Sequence, residues 1–168
     1  MKGRALAPIG LGAALLAVLS QLALPLPFGV PLTVQPLAIG LLAGWLGPVG
    51  APAAVAVWLA LGAAGVPVFA HLQGGLFHLL GYTGGFLWGF LPLCLCAVRA
   101  PAHRGKATLW VLAGTALCHL LGVAQFSLIS GNGFWLSALQ VSLPFFIKDG
   151  LLAYGGLRLG ITIKLRRN

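Results

Sequence analysis

The chain reads as an all-α integral membrane bundle, and three features of the sequence say so. Sixty per cent of its 168 residues are hydrophobic and 7% are charged, with a mean hydropathy of +1.02, whereas soluble domains are roughly a quarter charged. Stretches such as Leu11 to Leu19 and Leu109 to Leu117 are apolar on every side instead of alternating, which selects helices over the strands of a membrane barrel. Ten basic residues face a single acid, and nine of the ten gather at the ends of apolar stretches, where lysine and arginine set orientation. A net charge of +9 would suggest nucleic acid in a soluble protein. Here the helix ends account for it and no nucleic-acid partner is expected. Residues 1–168 form one domain, and at about 20 apolar residues per span there is room for at most about six or seven helices.

Lys2 and Arg4 precede a first helix from about Ala5 to Leu24. It reads as a retained span, because no small-x-small cleavage site precedes a soluble body. Pro25-Leu26-Pro27-Phe28-Gly29-Val30-Pro31 breaks it. A second helix is predicted from about Gln35 to Leu46 and a third from about Ala51 to Ala64, joined by a tight turn at Gly47-Pro48-Val49-Gly50. Both are short for independent spans, which predicts tilt or shielding by protein. Gly65 to Gly81 mixes glycine, histidine and glutamine with apolar residues and reads as re-entrant or loop structure, tolerated at membrane depth only where it lines a cavity or is buried in protein. A fourth helix follows from about Thr83 to Val98, a basic loop to Lys106, and a fifth helix from about Ala107 to Ile129. After the turn cluster Ser130-Gly131-Asn132-Gly133, the last helix starts near Leu139 or Pro144 and ends near Gly160.

Six transmembrane helices put both termini on one side. Lys2, Arg4, Arg99, Arg104, Lys106, Arg158, Lys164, Arg166 and Arg167 all fall on that side, and the three opposite segments, 25–34, 65–82 and 130–138, contain no basic residue. The expectation is a multi-pass protein of the cell membrane with cytoplasmic N and C termini.

Asp149 is the one acid, set in an apolar run beside Lys148. An ionisable group inside a span costs roughly 2.5 to 3.5 kcal/mol on insertion scales and marks a functional site by default. Fifteen residues separate it from Lys164, about 22 Å at helical rise, so it belongs to the outer half of the bilayer, beneath the irregular outer segments. Adjacent helical residues point about 100° apart, so Asp149 and Lys148 are each expected to have a separate partner. A polar ligand with donors for the acid and an anionic group for the base would fit; a proton relay is the rival, but relays need a chain of acids.

Other groups read more simply. Ala13 and Ala17 stand one turn apart on the first helix, a spacing that lets another helix dock closely. His71 and His78 have no acid or cysteine nearby and would leave a metal under-ligated, so neither metal nor cofactor is expected. His119 reads as a bonded interior histidine. Cys94, Cys96 and Cys118 read as small core residues. Trp45, Trp58, Trp88, Trp110 and Trp135 read as interface anchors, with Phe134 and Trp135 also able to cover an apolar ligand. A serine-protease reading of Ser127 or Ser130 with His119 lacks the Gly-x-Ser-x-Gly elbow. The chain also lacks a phosphate-binding Gly-x-x-x-x-Gly-Lys-Ser/Thr loop, so any uphill transport must draw its energy from a partner or an ion gradient.

Three stretches carry a family resemblance. Leu24 to Ala38, Gly65 to Ala70 continuing through Gly74-Gly75 to Leu80-Gly81-Tyr82-Thr83-Gly84-Gly85-Phe86, and Leu143-Pro144-Phe145-Phe146-Ile147-Lys148-Asp149 resemble, in order, the BioY family, the biotin-specific substrate-binding (S) components of energy-coupling factor (ECF) transporters. The resemblance implies the six-helix S-component fold, biotin as ligand, and a non-catalytic subunit. It implies partnership in the membrane lipid with a transmembrane coupling protein (T component) and two cytoplasmic ATPase subunits. It also implies that Asp149 accepts the ureido N–H groups, with Lys148, Thr33, Gln35, His71, Gln73, Tyr82 and Thr83 completing the ligand site, loop 25–35 closing over it, and Ala13 and Ala17 docking the partner. Lys148 stands where the family usually has glycine, Leu152 where it has lysine, and Tyr82 where the middle turn has proline. Alternatives from the residues are an S component for another small vitamin or an intramembrane enzyme, the latter without an identifiable nucleophile and base.

Overall fold

The computed structural model describes residues 3–26, 29–101 and 103–167. Helix α1 covers Gly3–Ser20, stopping before the expected Leu24. Ala23–Leu24 (β1) instead pairs antiparallel with Leu32–Thr33 (β2). The proline-rich breaker is therefore the tip of a small hairpin that turns at Gly29, where φ is +80°; Pro27 and Phe28 within it lie outside the described residues. Ser20 closes α1 by donating its Oγ to Leu16 O at 2.7 Å.

Helix α2 runs Gln35–Ala63 but is broken at Gly47, with φ 71° and ψ −165°. The predicted pair of helices is present, and the turn between them is sharper than expected. One glycine in a conformation open to residues without a side chain makes the break, and Pro48 begins the second arm, where its missing N–H is harmless. A 3-10 turn at Ala70–Leu72 and the short helix α3, Leu76–Leu80, occupy the stretch read as irregular. α4 is Gly84–Ala97. α5 is Arg104–Ser130 and takes in residues expected in the basic loop, ending at Gly131 in the left-handed region. The last element is two helices, α6 at Phe134–Val141 and α7 at Leu143–Arg167, meeting at 53°. α7 passes the expected stop at Gly160.

The glycines explain that continuation. A Cβ on Gly40 would collide with Ala153 O, one on Gly44 with Leu157 O, one on Gly156 with Leu37 O and one on Gly160 with Leu41 O. Two Gly-x-x-x-Gly ridges thus interlock along a seam between α2 and α7, the arrangement that lets helices approach closely where lipid supplies no hydrophobic drive. Gly160 is a contact, not a terminator. The same logic joins α4 to α5, where Gly85 meets Leu121 O and Gly89 meets Cys118.

These contacts also fix direction. Positions rise together along α2 and α7, so the first arm of α2 and α7 run parallel. Gly12 of α1 meets Leu42 and Leu46, while Gln35 bonds Ser20, so α1 runs antiparallel to that arm. The start of α1 and the end of α7 therefore share one end of the bundle, and the hairpin, the 70–83 segment and the α6–α7 bend share the other.

Among the described residues α2 and α5 are long and apolar enough to cross a membrane, and the bent α6–α7 pair would make a third. α2 meets that length only when counted through Gly47. Its arms, residues 35–46 and 48–63, span about 18 and 24 Å at helical rise, short of a bilayer's hydrocarbon core of about 30 Å. α1 and α4 are shorter apolar helices.

Candidate functional site

The hairpin end of the bundle opens into a cavity of about 640 Å³, within the range of small-molecule sites. Its lining gathers all eight residues singled out for ligand binding, Thr33, Gln35, His71, Gln73, Tyr82, Thr83, Lys148 and Asp149. Phe69, Phe86, Phe90 and Phe145 supply the apolar wall. His71, Gln73 and Tyr82 are exposed, at the open side, whereas Thr33 and Gln35 are buried.

Asp149 defines the inner wall. α7 carries it to 16% side-chain exposure, and its two oxygens have different surroundings. Oδ2 lies 3.2 Å from His119 Nε2. Oδ1 lies 2.6 Å from Lys148 Nζ and is itself shielded from solvent. The contact is a close charge pair, and since a carboxylate oxygen has two lone pairs, a second N–H can still be accepted there.

Lys148 departs from expectation. Its neighbour was expected to point away, but the four-carbon stem folds back to the acid. The ammonium also donates to Thr33 O of β2 at 2.7 Å and sits 5.9 Å from the centre of the Phe145 ring. Each residue does have a partner of its own, Thr33 O for the base and His119 for the acid.

Two glutamines missing from the sequence-based list hold the rim. Gln21, just past α1, donates from Nε2 to Phe69 O at 3.0 Å and accepts from Leu72 N at 2.8 Å through Oε1. It thereby clamps a turn in which His71 and Leu72 have φ of 57° and 56°, left-handed values that L residues adopt only at a cost. Gln125 of α5 donates to Leu79 O at 3.0 Å and to Gly81 O at 2.8 Å, fastening the turn that presents Tyr82 and Thr83. The signal available in the sequence was polarity: an amide next to apolar helix must find partners. His119 was recognised as an interior histidine but not as the acid's partner.

Other expectations shift. Ala13 is only 3% exposed and packs in the core, with Ala17 half-buried against it. That face of α1 packs against α2, while the outward face carries Ala7, Gly10, Ala14 and Val18. Trp58 is a core residue and not an interface anchor, fully buried and donating Nε1 to Val68 O at 2.9 Å. Trp135 is 80% exposed, and neither it nor Phe134 lines the cavity. Cys94 and Cys118 are buried core residues, and Cys96 is partly buried.

Comparison with known proteins places this architecture. A 2.1 Å crystal structure of "the S-component for biotin from an ECF-type ABC transporter" matches with a TM-score of 0.86 over 99% of this chain and 93% of that one, at 24% identity. The fold is thus that of a transporter S component, an all-helical bundle around a ligand-sized cavity. Residues 1–166 match the family model described as BioY family. Biotin transporter BioY2 of Lactococcus lactis subsp. cremoris is 47% identical over 85 residues, covering 51% of this chain and 46% of that protein. Biotin transporter BioY of Rhodobacter capsulatus is 37% identical over 133 residues, covering 74% and 70%. The match thus spans under half of the Lactococcus protein and somewhat over two thirds of the Rhodobacter one. The chain belongs to the BioY family.

Proposed function

We propose that this chain is the biotin-binding S component of an ECF-type uptake transporter in the cell membrane. The observation that carries the reading is Asp149, the chain's single acid, in the wall of a cavity of about 640 Å³ that Phe69, Phe86, Phe90 and Phe145 also line. A cyclic urea supplies N–H donors for that carboxylate, and its fused rings and aliphatic chain match the phenylalanine wall. Hydrogen bonds to a charged acceptor contribute about 1.5 to 3 kcal/mol, roughly a tenfold to 150-fold effect on affinity. Biotin's carboxylate would extend toward the polar open side, where His71, Gln73, Tyr82 and Thr83 offer donors.

Six membrane passes, with the two arms of α2 counted separately, and cytoplasmic termini complete the reading. The basic residues cluster toward the bundle end that holds both termini, which the positive-inside rule assigns to the cytoplasm. The cavity then opens outward, and Asp149 sits in the outer half of the bilayer. The chain performs no ATP hydrolysis in this scheme. A transmembrane coupling protein docks on the outward face of α1, at Gly10 and Ala14 in place of Ala13 and Ala17, and two ATPase subunits act through it.

Biotin binding to the detergent-purified protein, measured by calorimetry, tests the reading. The wild type binds biotin, and Asp149→Asn lowers affinity by about tenfold or more with its melting temperature kept. Equal affinity in the two proteins rejects the assignment.

A further inference from the structure

The biotin reading leaves His119 without a role, although it holds the acid that the reading depends on. His119 sits in α5, 4% exposed, and both ring nitrogens are engaged. Nε2 lies 3.2 Å from Asp149 Oδ2, and Nδ1 lies 2.9 Å from Ser142 Oγ. A carboxylate only accepts, so Nε2 carries the proton, and in the neutral ring Nδ1 accepts from the Ser142 hydroxyl. The ring is held edge-on by Phe86, with centres 5.6 Å apart, and by Phe146 at 5.3 Å. Ser142 is the joint between α6 and α7, so the bonds from one imidazole tie α5, the 53° bend and the acid about two turns further along α7.

Serine, histidine and acid in hydrogen-bonded sequence are also the connectivity of a hydrolase triad, but the order of nitrogens is reversed. In a hydrolase Nε2 faces the serine and Nδ1 the acid. Here Nε2 faces the acid, and Ser142 lies outside the cavity lining. The chain of bonds therefore points toward Asp149 as the working group and away from the serine.

We propose that His119 is the positioning residue of the ligand site. It holds Oδ2 from α5 while Lys148 Nζ stands 2.6 Å from Oδ1, so the carboxylate cannot rotate without giving up a partner. The acid thereby meets a ligand N–H in one fixed orientation, and without the imidazole that orientation is lost. The proposal rests on the biotin reading for the identity of the ligand but not for the His119–Asp149 bond.

A double-mutant cycle tests it, with purified full-length protein read by biotin calorimetry and by melting temperature without ligand. His119→Phe keeps the aromatic packing and removes both bonds. It weakens biotin binding about tenfold to a hundredfold, the range for losing a group that orients a ligating side chain. His119→Gln, which retains a donor, recovers most of the loss. In the Asp149→Asn background, where only the Ser142 bond remains to be lost, His119→Phe has little further effect on affinity and a smaller effect on melting temperature than in the wild type, because residues acting through one contact are not additive. Losses that multiply in the double variant, or unchanged affinity in His119→Phe, overturn the proposal. If the wild type does not bind biotin, the functional reading fails by itself. The ligand-free melting temperatures then decide: coupling between the two substitutions upholds the positioning bond, and additive shifts overturn it.

Discussion

Gly155 and Gly156 are neighbours on α7 with opposite surroundings, and alanine at each should move stability in opposite directions. A Cβ on Gly155 would have nothing within 4 Å. Gly155→Ala therefore gains helix propensity, up to about 1 kcal/mol, at no steric cost. A Cβ on Gly156 would strike Leu37 O, with Leu41 N at 2.8 Å and Leu37 C at 3.0 Å. All three are backbone atoms of a packed helix, so no rotamer change relieves the clash and the α2–α7 seam must open. Overpacking of this kind costs about 1 to 3 kcal/mol. After the propensity gain, Gly156→Ala should lose up to about 2 kcal/mol, or up to roughly 8 °C in melting temperature for a chain of this size. Differential scanning fluorimetry in one detergent compares the pair directly. Because α7 also carries Asp149, biotin affinity should fall in Gly156→Ala and hold in Gly155→Ala. A Gly156→Ala protein that melts at or above the wild type would refute the interlocked seam.

Gln21→Leu removes both ties to the strained turn at His71 and Leu72, where a left-handed L residue costs about 1 to 2 kcal/mol. Amide exchange at residues 69–73 should accelerate severalfold while the α2–α7 seam stays protected; unchanged exchange would mean that the turn holds itself. Ala14→Trp should leave folding intact yet block copurification of the coupling protein, whereas Ala13→Trp should disrupt folding first because Ala13 is buried against α2. Capture of the partner by Ala14→Trp at the wild-type level would place docking elsewhere.

The parts of the fold that were legible in the sequence are those in which the local chain decides the outcome. Proline and glycine clusters marked an interruption after α1, though not its last residue, and the break at Gly47, because a missing N–H or an absent Cβ acts within a turn. Asp149 and Lys164, whose separation was counted in helical rise, do lie on one continuous helix, and the polar residues named around the acid do line one cavity. Rotation was not legible. α1 is apolar and small on all sides, so nothing in the pattern distinguishes the Ala13 face from the Ala14 face, about 100° away. Gly160 was equally ambiguous, since glycine both stops helices and lets them touch, and only the facing Leu41 shows which role it has. His119 and Asp149 are 30 positions apart, and periodicity within either helix says nothing about a partner on the other.

The displaced lysine is where local pattern and tertiary geometry meet. A base three residues after Asp149, at the place of Leu152, would lie about 4.5 Å further along α7, toward the end that holds the termini and away from the hairpin. At position 148 the base precedes the acid, on the hairpin side, and its ammonium reaches Thr33 O while remaining 2.6 Å from Oδ1. The charge thereby serves two neighbours, the strand β2 and the acid. The neighbouring residue Gln35, which follows β2, bonds back to Ser20 at 3.0 Å, so α1, the hairpin and the inner wall of the cavity are linked through consecutive polar contacts. Lys148 thus ties the hairpin to the acid at the cavity wall, through Thr33 O on one side and Asp149 Oδ1 on the other.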